Sequence, residues 1–338
     1  MVKVAFVNLE PTEKKFFETH LAGEQFELEF YREDEWVKID PATEVLSVFV
    51  NFEVTRDVMD KLPNLKLIVC RSTGFDNIDM AAANEHGIKV ANTPGYGSSS
   101  VAEYTFGLIL MLSRKLPTIL AKTNSDSVDR IAERGWDLNG KTIGIIGLGS
   151  IGRGVAQIAH GFGMKILAVD RGRIDDFAQE YSVEYTDDMS RICREADIVT
   201  LHVPYTPDNH HLIGAKVLSE MKNTALVINT ARGELVNTLQ LARMLKDGKL
   251  GGVALDVIED EDYLFSPNAL IDLASGGDQM AIDKLRHALA VSALERMSNV
   301  IITNHNAFNT IEALERINST AAQNIVNFYS GGDVDYVS

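Results

Sequence analysis

The sequence predicts an α/β protein built from two doubly wound parallel sheets. Short runs of β-branched and aliphatic residues recur along the chain, and helical patterns separate them. Many of these runs carry apolar residues on both faces, and strands of this kind alternating with helices are typical of a parallel sheet covered on both sides. At 338 residues the chain is also long for a single core, so we expect two domains.

The first third of the chain contains five predicted strands. They lie at 2–8, 26–31, 45–50, 65–70 and 89–92, with helices at 12–21, 56–62 and 80–86. A helix predicted at 99–114 is apolar nearly all round, which indicates burial between larger bodies. The mixed polar stretch 121–139 then predicts a link into a second unit.

The second unit repeats the alternation. Strands are predicted at 142–147, 165–170, 198–202, 225–229, 252–256 and 300–303, with helices at 151–162, 188–194 and 234–247. The segment 258–299 contains a helical pattern at 280–297 and looks like an insertion between the last two strands. An amphipathic helix at 311–329 closes the chain.

Composition excludes several classes of partner. The chain has 32 basic and 48 acidic residues and a net charge of −16, which disfavours nucleic acid and anionic membranes. Cys70 and Cys193 lie in or beside apolar runs, without the spacing of a metal site or a disulfide framework. We therefore expect no metal and a reducing compartment. Without a recognisable signal peptide or a membrane-spanning run, the expectation is cytoplasmic.

A glycine-rich turn is the first functional motif. Gly147, Gly149 and Gly152 form G-x-G-x-x-G between an apolar strand and a helix. In this context the first glycine allows a tight turn, the second lets the backbone approach a pyrophosphate, and the third lets the helix pack on the strand. Asp170 ends the next strand and can bind both ribose hydroxyls, which favours NAD over NADP. Arg171 and Arg173 could pair with a 2′-phosphate and leave that preference incomplete.

Three charged residues follow later strands. Arg232 comes after the strand at 225–229, the acidic run Glu259–Glu261 after 252–256, and His305 after 300–303. The carboxyl ends of parallel strands share one edge, which is where open α/β sheets bind ligands. These side chains can therefore meet in space. Taken alone, each is equally a polar residue at a strand end.

The combination of motifs resembles the D-isomer-specific 2-hydroxyacid dehydrogenases, and most closely their D-lactate dehydrogenase-like branch. The resemblance covers nearly the whole chain and rests on the stretches "RSTGFDNID" (71–79), "NTPGYGSSSVAEYTFGLIL" (92–110), "GKTIGIIGLGSIG" (140–152), "FGMKILAVD" (162–170), "LHVPYTPDNHHLI" (201–213), "INTARGELV" (228–236), "GVALDV" (252–257) and "HNAF" (305–308).

The resemblance implies a catalytic set of Arg232, Glu261 and His305. His305 would donate a proton to the carbonyl oxygen of a 2-keto acid, and Glu261 would hold its imidazole and favour the charged form. Arg232 would bind the substrate carboxylate. Glu259 in the same acidic run is the competing partner for the histidine.

The resemblance also assigns binding residues. The cofactor residues are Gly147, Gly149, Ser150, Ile151, Gly152, Asp170, Val203, Pro204, Asn209, Thr230, Ala231 and Asp256. The backbone amides of Thr73 and Gly74 would hold the substrate carboxylate, and Tyr96, Phe308 and Phe52 would shape the substrate pocket. For these three aromatic residues the alternative is core packing.

The expected protein is an NAD-dependent D-2-hydroxyacid dehydrogenase that reduces a small, pyruvate-like 2-keto acid. A flavodoxin-like substrate domain would comprise residues 1–98 and 304–338, and a Rossmann NAD domain residues 99–303. The resemblance implies a homodimer. The alternatives are a non-catalytic NADH-sensing interaction protein and, within the same fold, a glycerate or hydroxypyruvate reductase.

Overall fold

The chain divides into two compact units. The computed structural model describes residues 1–21, 23, 25–121, 130–131, 133–261, 271 and 279–337. The first unit comprises Met1–Tyr96 and Asn309–Ser338, and the second Gly97–Phe308. The sequence-based boundaries fell after residues 98 and 303 and so placed His305 in the first unit. In the structure His305 belongs to the second unit, because it is hydrogen-bonded to Asp256 and Glu261 there.

The first unit contains a five-stranded parallel sheet. Its elements are β1 (Val2–Val7), α1 (Pro11–His20), β2 (Phe26–Tyr31), β3 (Val45–Val48), α2 (Arg56–Asp60), β4 (Leu67–Cys70), α3 (Met80–Glu85) and β5 (Lys89–Ala91), with a 3₁₀ helix at Glu33–Lys38. The strand order is β2-β1-β3-β4-β5, and all four pairings are parallel. This is the flavodoxin-like doubly wound order.

The second unit contains a seven-stranded parallel sheet. Its elements are α4 (Ser98–Ser113), α5 (Leu116–Ala121), β6 (Thr142–Ile146), α6 (Ser150–Gly161), β7 (Lys165–Val169), α7 (Asp175–Tyr181), β8 (Val183–Tyr185), α8 (Met189–Glu195), β9 (Ile198–Leu201), α9 (Ala215–Glu220), β10 (Leu226–Asn229), α10 (Thr238–Lys246), β11 (Gly252–Leu255), α11 (Gln279–Leu294) and β12 (Val300–Ile302). Helix α12 (Ile311–Ser330) returns to the first unit.

The order β12-β11-β10-β9-β6-β7-β8 is that of a Rossmann fold, because the chain starts centrally at β6 and reverses direction at β9. The predicted fold class, two doubly wound parallel sheets, is confirmed. The predicted link at 121–139 and the predicted insertion at 258–299 lie partly outside the described residues.

Alternate residues of each strand pack on opposite sides of the sheets. In β1, Val4 and Phe6 join one hydrophobic cluster, whereas Ala5 and Val7 join another on the other face. The same alternation places Ile145 and Ile146 of β6 in different clusters. Burial on both faces explains why apolar residues occupy successive positions, such as Val4–Val7 in β1 and Ile145-Ile146 in β6.

Some elements differ from the sequence-based prediction. Strand β8 and helices α7 and α9 are short and were not predicted, because three to seven residues carry little periodic signal. Helix α10 begins at Thr238 rather than at 234. The Asn237 side chain caps it by accepting a hydrogen bond from the Gln240 amide at 3.0 Å, which fixes the start of the helix.

Among the described residues, no helix has both the length and the apolar composition needed to cross a bilayer.

The two cysteines are expected to be unreactive in the native protein. Cys70 and Cys193 are unpaired and fully buried, and burial raises the pKa of Cys70 to about 12 and that of Cys193 to about 11. The thiolate is the reactive form, so a thiol reagent should label neither side chain in native protein and both in denaturant. The absorbance of the released reagent measures the labelling of the thiols. Rapid labelling of either cysteine in native protein would contradict this burial.

Candidate active site

The glycine-rich turn after β6 has the close contacts that G-x-G-x-x-G predicts. Gly147 has a φ of +94°, and a Cβ there would lie 2.6 Å from the carbonyl oxygen of His202. A Cβ at Gly152 would overlap the carbonyl oxygen of Gly147. A larger residue at either position would separate β6, β9 and α6, so both glycines are required by packing.

The same turn leaves room for an anion. A Cβ at Gly149 would meet no heavy atom within 4 Å among the described residues. Helix α6 begins at Ser150, and its N-cap Gly149 has no side chain to cap the first amides. Ser150, Ile151 and Gly152 therefore form a first helical turn whose amides have no capping side chain, which fits a pyrophosphate.

Asp170 lies directly after β7 and beside the glycine-rich turn. Its Oδ2 accepts a hydrogen bond from the Leu148 amide and its Oδ1 one from the Gly172 amide at 2.8 Å. These bonds orient a half-buried carboxylate at the carboxyl edge, where it fits ribose hydroxyls and repels a 2′-phosphate. Arg173, which sequence offered as a phosphate ligand, instead pairs with both carboxylate oxygens of Asp187 at 2.9–3.0 Å.

The remaining predicted cofactor residues lie in loops at the same edge. Val203 and Pro204 follow β9, and Asn209 ties their loop together by donating to the Pro204 carbonyl at 2.8 Å and accepting from the Thr206 amide at 2.8 Å. Thr230 and Ala231 follow β10, and the Thr230 hydroxyl lies 3.1 Å from that of Thr105 on α4. These loops and the glycine-rich turn surround the switch point between β6 and β9.

Arg232 is positioned by the loop after β10. The buried side chain of Asn229 accepts a hydrogen bond from the Ala231 amide at 3.0 Å and donates one to the Arg232 carbonyl at 2.8 Å. Arg232 Nη1 donates to the Ala231 carbonyl at 2.8 Å. The next residue, Gly233, is in contact with the Ile258–Glu259 peptide, since a Cβ at Gly233 would overlap it. This contact places the arginine loop against the acidic loop.

His305 and Glu261 are hydrogen-bonded. The His305 Nδ1 lies 3.0 Å from the Glu261 Oε1, and the two side chains are 39% and 32% exposed. Because a carboxylate only accepts, Nδ1 carries a proton and Nε2 is the nitrogen left to exchange one with a ligand. The Phe308 ring lies edge-on to the His305 ring, with centroids 6.5 Å apart.

Asp256 holds the loop that carries His305. Its carboxylate is 1% exposed and accepts hydrogen bonds from the Thr303 hydroxyl at 2.6 Å and from the amides of Asn306 and Ala307 at 2.9 Å each. The His305 amide donates to the Asp256 carbonyl at 2.8 Å. His305 itself has a φ of +48°, an uncommon conformation for a residue with a side chain. The surrounding bonds maintain it.

Glu259, the competing carboxylate, has other partners. It is 8% exposed, and both its oxygens lie 3.0–3.1 Å from the His211 Nε2. A second histidine, His287, approaches it with Nε2 at 3.7 Å from Oε2. In this arrangement Glu261, not Glu259, contacts His305.

The ligand atoms of His210, His211 and Glu259 lie within 4.8 Å of one another, a spacing that could hold a metal ion. The Asn237 Oδ1 caps α10, so its amide nitrogen faces the His211 Nδ1 at 3.1 Å. Nδ1 must then accept, which places the His211 proton on Nε2 toward Glu259. A metal would need that nitrogen bare, so the hydrogen bonds favour a structural role.

The predicted substrate residues of the first unit lie at and beyond its carboxyl edge. Thr73 and Gly74 follow β4, and Tyr96 is the last residue of this segment, with its carbonyl accepting from the Arg316 Nε at 2.7 Å. Phe52 is 3% exposed inside the hydrophobic cluster that includes Val7 and Val48. Its environment matches the core-packing alternative.

Comparisons with known proteins show the family of the chain. Residues 106–307 match the family model described as "D-isomer specific 2-hydroxyacid dehydrogenase, NAD binding domain". A D-lactate dehydrogenase of Escherichia coli is 33% identical over 335 residues, covering 98% of each chain. A 2-hydroxyacid dehydrogenase homolog of Haemophilus influenzae is 32% identical over 338 residues, covering 98% of this chain and 97% of the relative.

The fold is also that of solved relatives. A structure of D-lactate dehydrogenase from Aquifex aeolicus, complexed with NAD and lactic acid, has a TM-score of 0.80 and 35% identity, and the match covers 97% of this chain and 96% of that one. The cofactor is NAD, as the family match and the glycine-rich turn beside Asp170 both indicate. The chain therefore belongs to the D-isomer specific 2-hydroxyacid dehydrogenases, and it is an NAD-dependent oxidoreductase that acts on a CH–OH group.

Proposed function

We propose that this enzyme reduces a small 2-keto acid such as pyruvate to the D-2-hydroxy acid, with His305 as the proton donor. The observation that carries the proposal is the hydrogen bond between His305 and Glu261, on loops that follow adjacent parallel strands. The Arg232 loop follows the next strand in the sheet. The names of the Escherichia coli and Aquifex aeolicus relatives support a lactate-type substrate.

Proton transfer would proceed through one ring nitrogen. Glu261 accepts the Nδ1 proton of His305 and so fixes the ring, which leaves Nε2 to donate to the carbonyl oxygen of the substrate. In the reverse direction the same nitrogen would accept the hydroxyl proton. The hydrogen bonds that the Asp256 carboxylate accepts from Thr303, Asn306 and Ala307 would hold the His305 loop in place during the transfer.

Arg232 would bind the substrate carboxylate. Its planar guanidinium matches a carboxylate in geometry and charge, and its backbone is fixed on both sides by Asn229. Bound NADH supplies the hydride. The chain's contribution to that cofactor is the turn at Gly147–Gly152 and the carboxylate of Asp170.

A small substrate is supported by the aromatic ring beside the histidine. Phe308 lies edge-on to His305, so it would limit the space for the substrate side chain on that side. Tyr96 and the amides of Thr73 and Gly74 remain the proposed contacts from the first unit. Phe52 is better explained as a core residue, because it is buried in an apolar cluster.

We also propose a cytoplasmic homodimer. Cys70 and Cys193 are unpaired, as expected in a reducing compartment. Large apolar side chains of the second unit are exposed on α5 and α11, with Leu120 63%, Met280 69% and Leu289 71% exposed. A contact between subunits would cover exposed apolar side chains of this kind. Light scattering after size-exclusion chromatography tests the oligomeric state.

Substitution of His305 should remove turnover. We expect His305→Asn to lower kcat by about 10²- to 10⁴-fold on the preferred substrate, the usual contribution of a general acid. His210→Asn is the matched control, because His210 is exposed and does not belong to the catalytic set of Arg232, Glu261 and His305. NADH absorbance is followed with pyruvate, 2-ketobutyrate, phenylpyruvate, hydroxypyruvate, glyoxylate and oxaloacetate.

Each outcome of that panel has a meaning. Preference for hydroxypyruvate or glyoxylate would replace the pyruvate assignment, and unchanged turnover in His305→Asn would reject the proposed acid. A wild-type protein that binds NADH but reduces no member would contradict the proposed reaction.

The two glutamates of the acidic run should behave differently. Glu261→Gln is expected to lower kcat at least tenfold, because it replaces the charged partner of His305. The unfolding free energy should change little, because the Glu261 side chain is partly exposed. Glu259→Gln is expected to keep most of kcat and to lose about 1–3 kcal/mol of stability, since a buried hydrogen-bonded charge is altered. Kinetics and urea unfolding compare the pair, and the reverse pattern would make Glu259 the catalytic partner.

Removal of the Asp256 carboxylate should affect both stability and catalysis. Asp256→Ala leaves the buried amide of Ala307 and its neighbours without acceptors, so we expect a loss of about 2–4 kcal/mol in unfolding free energy. Because the His305 loop loses its support, kcat should fall even at temperatures where the variant is fully folded. Urea unfolding and steady-state kinetics measure the two effects, and an unchanged kcat would show that the loop keeps its conformation without Asp256.

A further inference from the structure

A buried arginine in the first unit has no counter-ion. Arg71 directly follows β4 and is 0% exposed. Transfer of a charged side chain into a protein interior is unfavourable unless an opposite charge accompanies it. Among the described residues, no carboxylate forms a salt bridge with Arg71; Glu13 attracts it only at a distance. Burial lowers the pKa of Arg71 to about 10, so the guanidinium is still charged at neutral pH.

The hydrogen-bond partners of Arg71 are all neutral. Nη1 donates to the carbonyl and hydroxyl oxygens of Ser47 at 3.1 and 3.2 Å, and Nη2 donates to the carbonyls of Val7 and Asn8 at 2.8 and 2.9 Å. The buried Nε has no partner among the described residues. These bonds join the carboxyl ends of β1, β3 and β4, and they leave the positive charge uncompensated at this edge.

The loop next to Arg71 presents hydrogen-bond donors. The carbonyls of Ser72, Thr73 and Gly74 accept, respectively, from the Thr93 amide at 3.0 Å, the Asn92 side chain at 2.7 Å and the Ser72 hydroxyl at 2.6 Å. Within the described part of the chain, by contrast, the amides of Thr73 and Gly74 donate to no acceptor. A loop with its carbonyls occupied and its amides available suits an anion.

The charged residue and the loop both follow β4 directly. A side chain that only joins three strand ends needs hydrogen-bond donors, which a neutral amide also provides. It does not need the positive charge of Arg71. The charge is explained if an anion binds at the neighbouring amides, because a nearby cation in a medium of low polarity strengthens that binding.

We propose that Arg71 is a positioning residue for substrate binding: its buried positive charge, at the same strand end that leads into the Thr73–Gly74 loop, raises the affinity of those amides for the carboxylate of an anionic 2-keto acid. The proposal rests on the proposed function, which assigns the substrate carboxylate to this loop. The charge of Arg71 would act through the loop, without direct contact between its side chain and the substrate.

The test compares a charged substrate with a neutral one of the same shape. Arg71→Gln keeps a hydrogen-bonding amide and removes the charge, whereas Arg71→Lys keeps the charge and loses the fork. We expect Arg71→Gln to raise the KM for pyruvate by roughly tenfold and to leave that for pyruvamide within about twofold, as expected for loss of one charge–charge attraction. Arg71→Lys should keep the wild-type ratio of the two KM values.

A control variant and a binding measurement separate the outcomes. Ser47→Ala removes one partner of Arg71 without changing the charge, so it should leave the ratio of KM values unchanged. An equal rise in both KM values in Arg71→Gln would show a structural role and overturn the proposal. If Arg71→Gln does not fold, a changed ratio in Arg71→Lys, which keeps the charge, would overturn the proposal in the same way.

Failure of the proposed function has a different signature. In that case the wild-type protein reduces neither pyruvate nor pyruvamide. Calorimetric titration with oxamate, an unreactive anion of similar shape, in the presence of NADH then measures the affinity of the loop directly. Wild-type binding that weakens roughly tenfold in Arg71→Gln supports the role of the charge, and equal or absent binding in the two proteins rejects it.

Discussion

The buried carboxylate of Asp256 is the interaction on which the geometry of the active site depends. It lies just beyond β11 and accepts three hydrogen bonds from the loop beyond β12. That loop contains His305 in a left-handed backbone conformation, which an unsupported loop would not keep. A negative charge almost without access to water is maintained here because every oxygen is used by donors of the histidine loop.

Close backbone contacts fix the other loops of the site relative to one another. Gly233 lies against the Ile258–Glu259 peptide, so the arginine loop and the acidic loop have a fixed separation. At the glycine-rich turn, Gly147 and Gly152 likewise fix the separation of β6, β9 and α6, because neither position has room for a Cβ. The catalytic side chains can therefore come from distant parts of the sequence and still have defined positions, since rigid loops at one sheet edge carry them.

Much of the site was predictable from local patterns. The motif Gly147–Gly152 with Asp170 carries its physical reasons in the sequence, and the strand ends indicated that Arg232, the acidic run and His305 share one edge. The family resemblance favoured Glu261 over Glu259, but the acidic run itself suits either residue. The choice between them depends on His211 and His287, whose contacts with Glu259 are set by the packing of distant elements. The role of Phe52 was undecided for the same reason, because an aromatic residue suits a core and a pocket equally.

The sequence by itself determined the fold class, the cofactor motif and the family, because periodicity, glycine spacing and strand-end residues are local properties. Only the tertiary structure decided that Asp256 supports the histidine loop, that Arg173 pairs with Asp187, and that Arg71 is a buried cation without a counter-ion among the described residues. These facts depend on which polar atoms meet after folding, and such meetings are set by long-range packing that no short stretch of sequence encodes.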